Sequence, residues 1–176
     1  VSKIASNMSR LFRLTITPDD QNQILLEKEL EHLNCYIEIQ KIRYGDSVRF
    51  NLEYDETLNH FLVLKLLLQP LVENALTHGL KGREQEDILV KIYSEDNYLF
   101  YEIRNNGTPV SVSFLDELLC SDDTKTQGFA IRNINQRLKL QYGDSFGLKY
   151  GLDGEFSYFK ICQPLLTCTQ ENGSEI

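Results

Sequence analysis

Polar and apolar positions along this chain change rhythm several times, and each change marks an element. Leu26, Leu30, Leu33 and Ile37 recur at four-three-four spacing, a narrow apolar stripe suited to one helical partner. Thr17-Pro18-Asp19-Asp20 reads as a helix start, with Thr as N-cap, and Gly45-Asp46 as its end, so the spacing predicts a helix over 18–44. The period then falls to two: Val48, Phe50, Leu52 and Tyr54 alternate with Arg49, Asn51 and Glu53, a half-buried strand. A second helix is predicted over 69–78, with Pro70 confining its start. Two strands follow at 88–93 and 98–105, joined by Ser94-Glu95-Asp96-Asn97, before the break Gly107-Thr108-Pro109. Residues 110–127 combine a short helical patch with the polar run SDDTKTQ, and mobility is expected there. A third helix, 130–142, carries a stripe of Ile131, Ile134, Leu138 and Gln141 and stops at Gly143. Strands at 146–152 and 156–163 close the pattern as a hairpin through Asp153-Gly154.

This order predicts an α+β fold: a two-layer sandwich with a mostly antiparallel sheet and helices on one face. Three regions are expected: a helical arm at 1–45, the sandwich at 46–164 and a flexible tail at 165–176.

Composition narrows the possible chemistry. The 176 residues are 41% hydrophobic and 25% charged, values of a soluble globular protein. A formal net charge of −8 argues against nucleic-acid binding, although an acidic protein can hold a nucleotide through backbone amides and Mg²⁺. Cys35, Cys120, Cys162 and Cys168 form no CxxC pair and no metal-ligand spacing with the three histidines, so reduced thiols are expected. The longest apolar run, 61–68, is interrupted by Lys65 and is too short to span a bilayer. Val1 is not an initiator methionine, and the chain is read as a piece of a longer protein.

The segment QPLVENALTHGL, 69–80, carries the most chemistry. Wound at 3.6 residues per turn, Leu68, Leu71, Val72, Ala75 and Leu76 fall on one half and Gln69, Glu73, Asn74, Thr77 and His78 on the other. The polar half holds no lysine or arginine. It reads either as a solvated surface or as the lining of a site for a hydrated metal ion and phosphate.

These residues resemble the cytoplasmic catalytic region of two-component sensor histidine kinases of the LytS/YesM-like type. Those kinases belong to the GHKL ATPase superfamily, whose ATP-binding fold is the Bergerat type. The resemblance covers about 26–164. LEKELEHLNCYIEIQKIRYGD is similar to the helix leading into the ATPase domain, QPLVENALTHG to its N-box, IRNNGTP to the first glycine box, and GFAIRNINQRLKLQYG to the second. The resemblance implies a histidine protein kinase catalytic domain that binds ATP and Mg²⁺. It implies Asn74 as the Mg²⁺ ligand, an apt role because Mg²⁺ wants hard oxygen ligands yet keeps most of its waters. His78 is placed to donate to phosphate or water, or else only to interact with the helix dipole. Glu73 is the candidate catalytic residue, as a base or as a holder of a metal-bound water. Asn105 stands where the family has an adenine-reading aspartate, and Gly107 belongs to the same box. The resemblance implies ATP contacts at Gly128, Phe129, Ala130, Ile131 and Asn133, where backbone amides at a helix start would approach the phosphates, with 110–127 as the lid. Ala130 stands where a second glycine is usual, and Pro109 where another is common. The alternative for Asn105-Asn106-Gly107 is a plain turn at a strand end.

The resemblance further implies a response regulator as partner, a homodimer in the parent protein, and a cytoplasmic domain of a membrane-anchored sensor. The phosphoacceptor histidine is expected upstream of this chain. His32 is read as a surface residue of the arm, and His60 as a loop residue without a partner. Asn105 and Ala130 keep a second possibility open: a degenerate, non-catalytic nucleotide-binding or dimerisation module of the same fold.

Overall fold

The computed structural model describes Ser9 and residues 22–79, 85–108, 111 and 129–167, with His78, Gly79 and Phe129 described by backbone alone. Its first strand, β1 (Gln23–Leu25), leads directly into α1 (Leu26–Tyr44). A single turn of 3₁₀ helix, Gly45–Ser47, then passes the chain to β2 (Val48–Tyr54). A second 3₁₀ turn, Glu56–His60, precedes β3 (Leu62–Leu64) and α2 (Leu68–Gly79). The remainder is β4 (Glu86–Glu95), β5 (Tyr98–Asn105), α3 (Phe129–Tyr142), β6 (Leu148–Asp153) and β7 (Phe156–Pro164). The strand order is β2-β4-β5-β7-β6, with β2 parallel to β4 and the other three pairs antiparallel. The expected two-layer α+β architecture is therefore what the chain adopts.

The chain departs from the sequence pattern most clearly in its first and last helices and in the short strands β1 and β3, which the pattern does not contain. The first helix begins at Leu26, because Gln23–Leu25 instead pairs antiparallel with Leu62–Leu64 and the Leu26 amide donates to the Phe61 carbonyl at 2.9 Å. That pairing wins over helical extension; 18–21, where the pattern starts the helix, lies outside the described residues. The stripe on α1 is also wider than predicted. Glu29, His32, Cys35, Tyr36 and Gln40 are buried along with Leu26, Leu30, Leu33 and Ile37. The helix packs on α2, β2 and β3, and its apolar residues join one core with Val90, Tyr101 and Ile134. Residues 26–44 therefore share the core of the sheet, whereas the pattern puts a boundary at 45. In α3, Gln141 is exposed and Tyr142 takes the fourth inward position, its hydroxyl accepting from Gln23 Nε2 at 3.0 Å.

The start of α2 is secured from outside the helix. Its first amides have no intrahelical acceptor, and the buried carboxylate of Glu29 on α1 fills that need. Glu29 accepts from Leu66 N at 2.8 Å, Leu67 N at 2.7 Å and Leu68 N at 2.9 Å. Burial pushes this carboxyl above its ordinary value, while the three amides and the nearby Arg137 pull it down. Leu66 turns at φ +56°, a left-handed conformation costly for a leucine, and the grip of Glu29 on its amide helps to hold it. From α3, Arg137 Nη2 donates to the Lys65 carbonyl at 2.5 Å. One carboxylate and one guanidinium thus tie α1 and α3 to the turn that launches α2.

Candidate functional site

The helix α2 lies on β4 and β5 and packs against α3, so the three motif segments ride on neighbouring elements of the helix-covered side. On α2 the apolar half is buried, from Leu68 through Leu71, Val72, Ala75 and Leu76. The other half faces out: Glu73 and Thr77 are exposed, and Gln69 and Asn74 are half-buried. Thr77 Oγ1 bonds back to the Glu73 carbonyl at 2.8 Å, a local bond that ties its hydroxyl to the helix backbone. The Glu73 carboxylate lies close enough to Tyr36 to add to the burial that raises the tyrosine phenol above its ordinary value. The helical backbone continues through His78 to Gly79.

Two half-buried amide oxygens lie on this face, those of Gln69 and Asn74, and Asn74 is the one at the N-box asparagine position. No group of three or more His, Cys, Asp or Glu side chains that would enclose a metal occurs among the described residues. A lone amide oxygen fits Mg²⁺ better than a dehydrated ion, because Mg²⁺ retains waters and shares its remaining positions with phosphate oxygens.

At the end of β5 two consecutive amides grip two consecutive acids on β4. Asn105, 4% exposed, donates from Nδ2 to Glu86 Oε1 at 3.2 Å. Asn106 accepts from the Asp87 amide at 2.8 Å through Oδ1 and donates from Nδ2 to Asp87 Oδ2 at 3.4 Å. The segment at 105–107 is therefore a clamped strand end with Gly107 buried, rather than a free turn. Glu86 is fully buried, and its Oε2 has no hydrogen-bond partner. Burial pushes its carboxyl up to about 7, with a smaller push from Asp87 and an opposing pull from Asn105. Ser157 on β7 faces Asn105 across the sheet, is buried, and has an Oγ equally without a partner.

The second glycine segment opens a helix. Phe129 is the first residue of α3, and Ala130 is exposed at the second position. Its methyl occupies an ordinary helical site, so the missing glycine demands no unusual backbone there. Ile131 is 2% exposed within the core, so its side chain is directed away from any ligand. What it offers is an amide in the first turn, where helix N–H groups lack internal acceptors and attract phosphate. Asn133 is exposed on α3. Gly128 and nearly all of 110–127 lie outside the described residues, as do the side chains of His78 and Phe129.

Glu86 and Ser157 are the polar residues that pattern reading passes over. Both were accessible through phase: Glu86 falls in step with Ile88, Val90 and Ile92, and Ser157 with Phe159 and Ile161, so each faces the helices. Starting the strand at 88 hides Glu86 in a loop. His32 is a correction of the opposite kind. It is 3% exposed rather than on the surface, its Nδ1 lacks a partner, and burial together with Lys65 lowers its pKa. His60 is exposed and its ring lies tilted against that of Phe61, with centroids 4.3 Å apart.

Comparison by sequence returns the histidine kinases, and comparison by structure returns the fold of their catalytic domains. Residues 1–48 match the family model described as Histidine kinase. The sensor protein LytS of Streptococcus agalactiae serotype V is 31% identical over 150 residues, covering 83% of this chain and 26% of that protein. The chain thus spans about a quarter of the length of the curated relatives it matches. Among solved structures, the catalytic domain of histidine kinase ThkA superposes with a TM-score of 0.65 at 15% identity, covering 82% of this chain and 97% of that one. ThkA in complex with response regulator protein TrrA superposes at 0.63 and 12% identity, over 93% and 49% of the two chains. No helix among the described residues is long and apolar enough to cross a membrane.

Proposed function

This chain belongs to the sensor histidine kinase family, beside LytS, and we propose that it is the ATP-binding catalytic unit of such a kinase. It would hold Mg²⁺·ATP so that the γ-phosphoryl group faces a histidine lying outside the sandwich. Phosphoryl transfer asks a protein mainly to position the group and neutralise its charge. The residues suit that demand. Asn74 supplies an oxygen to Mg²⁺, the first-turn amides of α3 meet the phosphates, and the 105–107 strand end receives the base. Glu73, exposed on the face that carries Asn74, is the candidate to orient a metal-bound water. His78, one turn beyond Asn74, is the candidate phosphate donor. The observation that carries this reading is α2 itself, a helix with a buried apolar half and an outward Glu-Asn pair in the motif order of the family.

For the parent protein we infer a response regulator as the receiver of the phosphoryl group, a homodimeric assembly and a membrane anchor. The ThkA complex with TrrA supports the first of these by analogy. The degenerate-module reading rested on Asn105 and Ala130, and the helical geometry at Ala130 weakens half of it. The test is phosphotransfer from [γ-³²P]ATP to a longer form of the protein that contains the acceptor histidine. Acid-labile label that requires Mg²⁺ and is lost in Asn74→Ala is the expected result. Equal labelling by Asn74→Ala and the unaltered protein would remove Asn74 from the mechanism.

A further inference from the structure

The inner face of the sheet is apolar along the middle of β4, β5 and β7 and polar at its ends. At one end the buried Gln163 is fully engaged, accepting from the Tyr101 hydroxyl and donating to the Leu62 carbonyl, whereas the other end is not. There Glu86, Asn105 and Ser157 come together, all buried. Their hydrogen-bond capacity is only partly used. Asn105 takes up Glu86 Oε1, whereas Glu86 Oε2 and Ser157 Oγ have no partner. A buried polar atom left without a partner is costly, because it gives up its bonds to water and gains none in return. Two such atoms on β4 and β7, the strands that flank β5 on either side of the residue at the adenine-reading position, mark a place for a ligand with complementary groups. The chemistry of that ligand follows from which atoms are free. A carboxylate recognising guanine ordinarily accepts from two adjacent N–H groups and uses both oxygens for it. Here one oxygen is held by Asn105, leaving a single acceptor that suits one exocyclic amine.

Building on the ATP-binding reading above, we propose that Glu86 selects the base: its Oε2 accepts from the 6-amino group of adenine, and Asn105 is the positioning residue that holds the carboxyl. The acidic group that the family carries at the end of β5 is thereby moved one strand over, to the foot of β4, and the amide at 105 becomes its anchor. Ser157, with both a donor and acceptor lone pairs, faces the same end and can meet a ring nitrogen or an ordered water. The environment that raises the Glu86 carboxyl also makes it sensitive to what binds, since a donor at Oε2 favours the ionised form.

Nucleotide titration of the unaltered chain and of Glu86→Gln, with ATP and ITP, tests this. ITP presents a 6-oxo acceptor where ATP presents an amine, so it is repelled by a carboxylate and welcomed by an amide. The unaltered chain is expected to prefer ATP by tenfold or more. Glu86→Gln, nearly the same shape, is expected to lose about tenfold in ATP affinity and to gain for ITP, narrowing or inverting the preference. A purely structural role would weaken both nucleotides together. An ATP-over-ITP ratio unchanged by Glu86→Gln would overturn the proposal and leave the ATP-binding reading standing. Failure of the unaltered chain to bind either nucleotide would overturn both. If Glu86→Gln does not fold, the unaltered chain still decides through purine riboside triphosphate, which lacks the 6-amino group. Binding about tenfold weaker than ATP is expected, and equal binding would refute the role of Oε2.

Discussion

At the residue scale, buried carboxylates rather than exposed ones carry most of the information. Glu29 answers three backbone amides at the head of α2, and removing it leaves those donors buried and unmatched. Glu29→Ala should therefore destabilise the fold by about 3 kcal/mol, and Glu29→Gln, which keeps one acceptor oxygen, by less. Urea unfolding midpoints at constant slope read the difference directly. Asn105 is the second telling case. A plain repair of the family motif, Asn105→Asp, would set a second acid against the fully buried Glu86, because the amide that now donates at 3.2 Å would become an acceptor. ATP binding is expected to weaken several-fold, as like charges in one desolvated site oppose ionisation. Calorimetric titration showing tighter binding by Asn105→Asp would mean that Glu86 is no part of the base site.

At the scale of elements, the two faces of α2 and the alternation of β2 were legible because each follows a single period. Leu68, Leu71, Val72, Ala75 and Leu76 are buried as their spacing requires, and Arg49, Asn51 and Glu53 point outward as theirs does. What escaped depends on partners distant in sequence. Gln23–Leu25 is a strand only because Leu62–Leu64 lies beside it, and no local signal announces that pairing. The Tyr142 position was missed because a three-four repeat allows either Gln141 or its neighbour, and packing against Gln23 decides. The candidate site divides the same way. Asn74 and Asn105 are visible through motif order, whereas Glu86 becomes visible only when β4 is extended to its true start. The tie between α3 and the α2 launch is also an element-scale property. Arg137→Ala frees the Lys65 carbonyl, and a loss of about 1–2 kcal/mol in thermal or urea unfolding is expected, in keeping with a charge-assisted hydrogen bond.

At the scale of the whole molecule, one core joins the leading helix to the sheet, and Glu29 ties α1 directly to the head of α2. The buried acids also shape the response to pH. Glu86 has a folded-state value raised from 4.5 to about 7, so its protonated form is the one the fold prefers. Its contribution is fully present below pH 4.5 and is lost as pH rises from there through about 7. The lowered pKa of His32 acts in the opposite sense, losing stability as pH falls below its ordinary 6.5, so a difference between variants is the clean readout. Without nucleotide, Glu86→Gln should gain on the unaltered chain by about 2 kcal/mol between pH 5 and pH 8, measured by urea unfolding at the two values. The fold class was legible from the order of periods alone, and the family from four motifs in sequence. The placement of α1 within the core was not, since Glu29, His32 and Gln40 are polar residues that no hydropathy pattern would bury.

The most direct measurement of the central claim is calorimetric titration of this chain with ATP, in Mg²⁺ and in EDTA, before and after Asn74→Ala. A catalytic domain of the proposed kind binds ATP at one site, binds it more tightly with Mg²⁺, and loses that Mg²⁺ advantage when Asn74 is replaced. The absence of ATP binding in either buffer, or an Mg²⁺ advantage that survives Asn74→Ala undiminished, would contradict it.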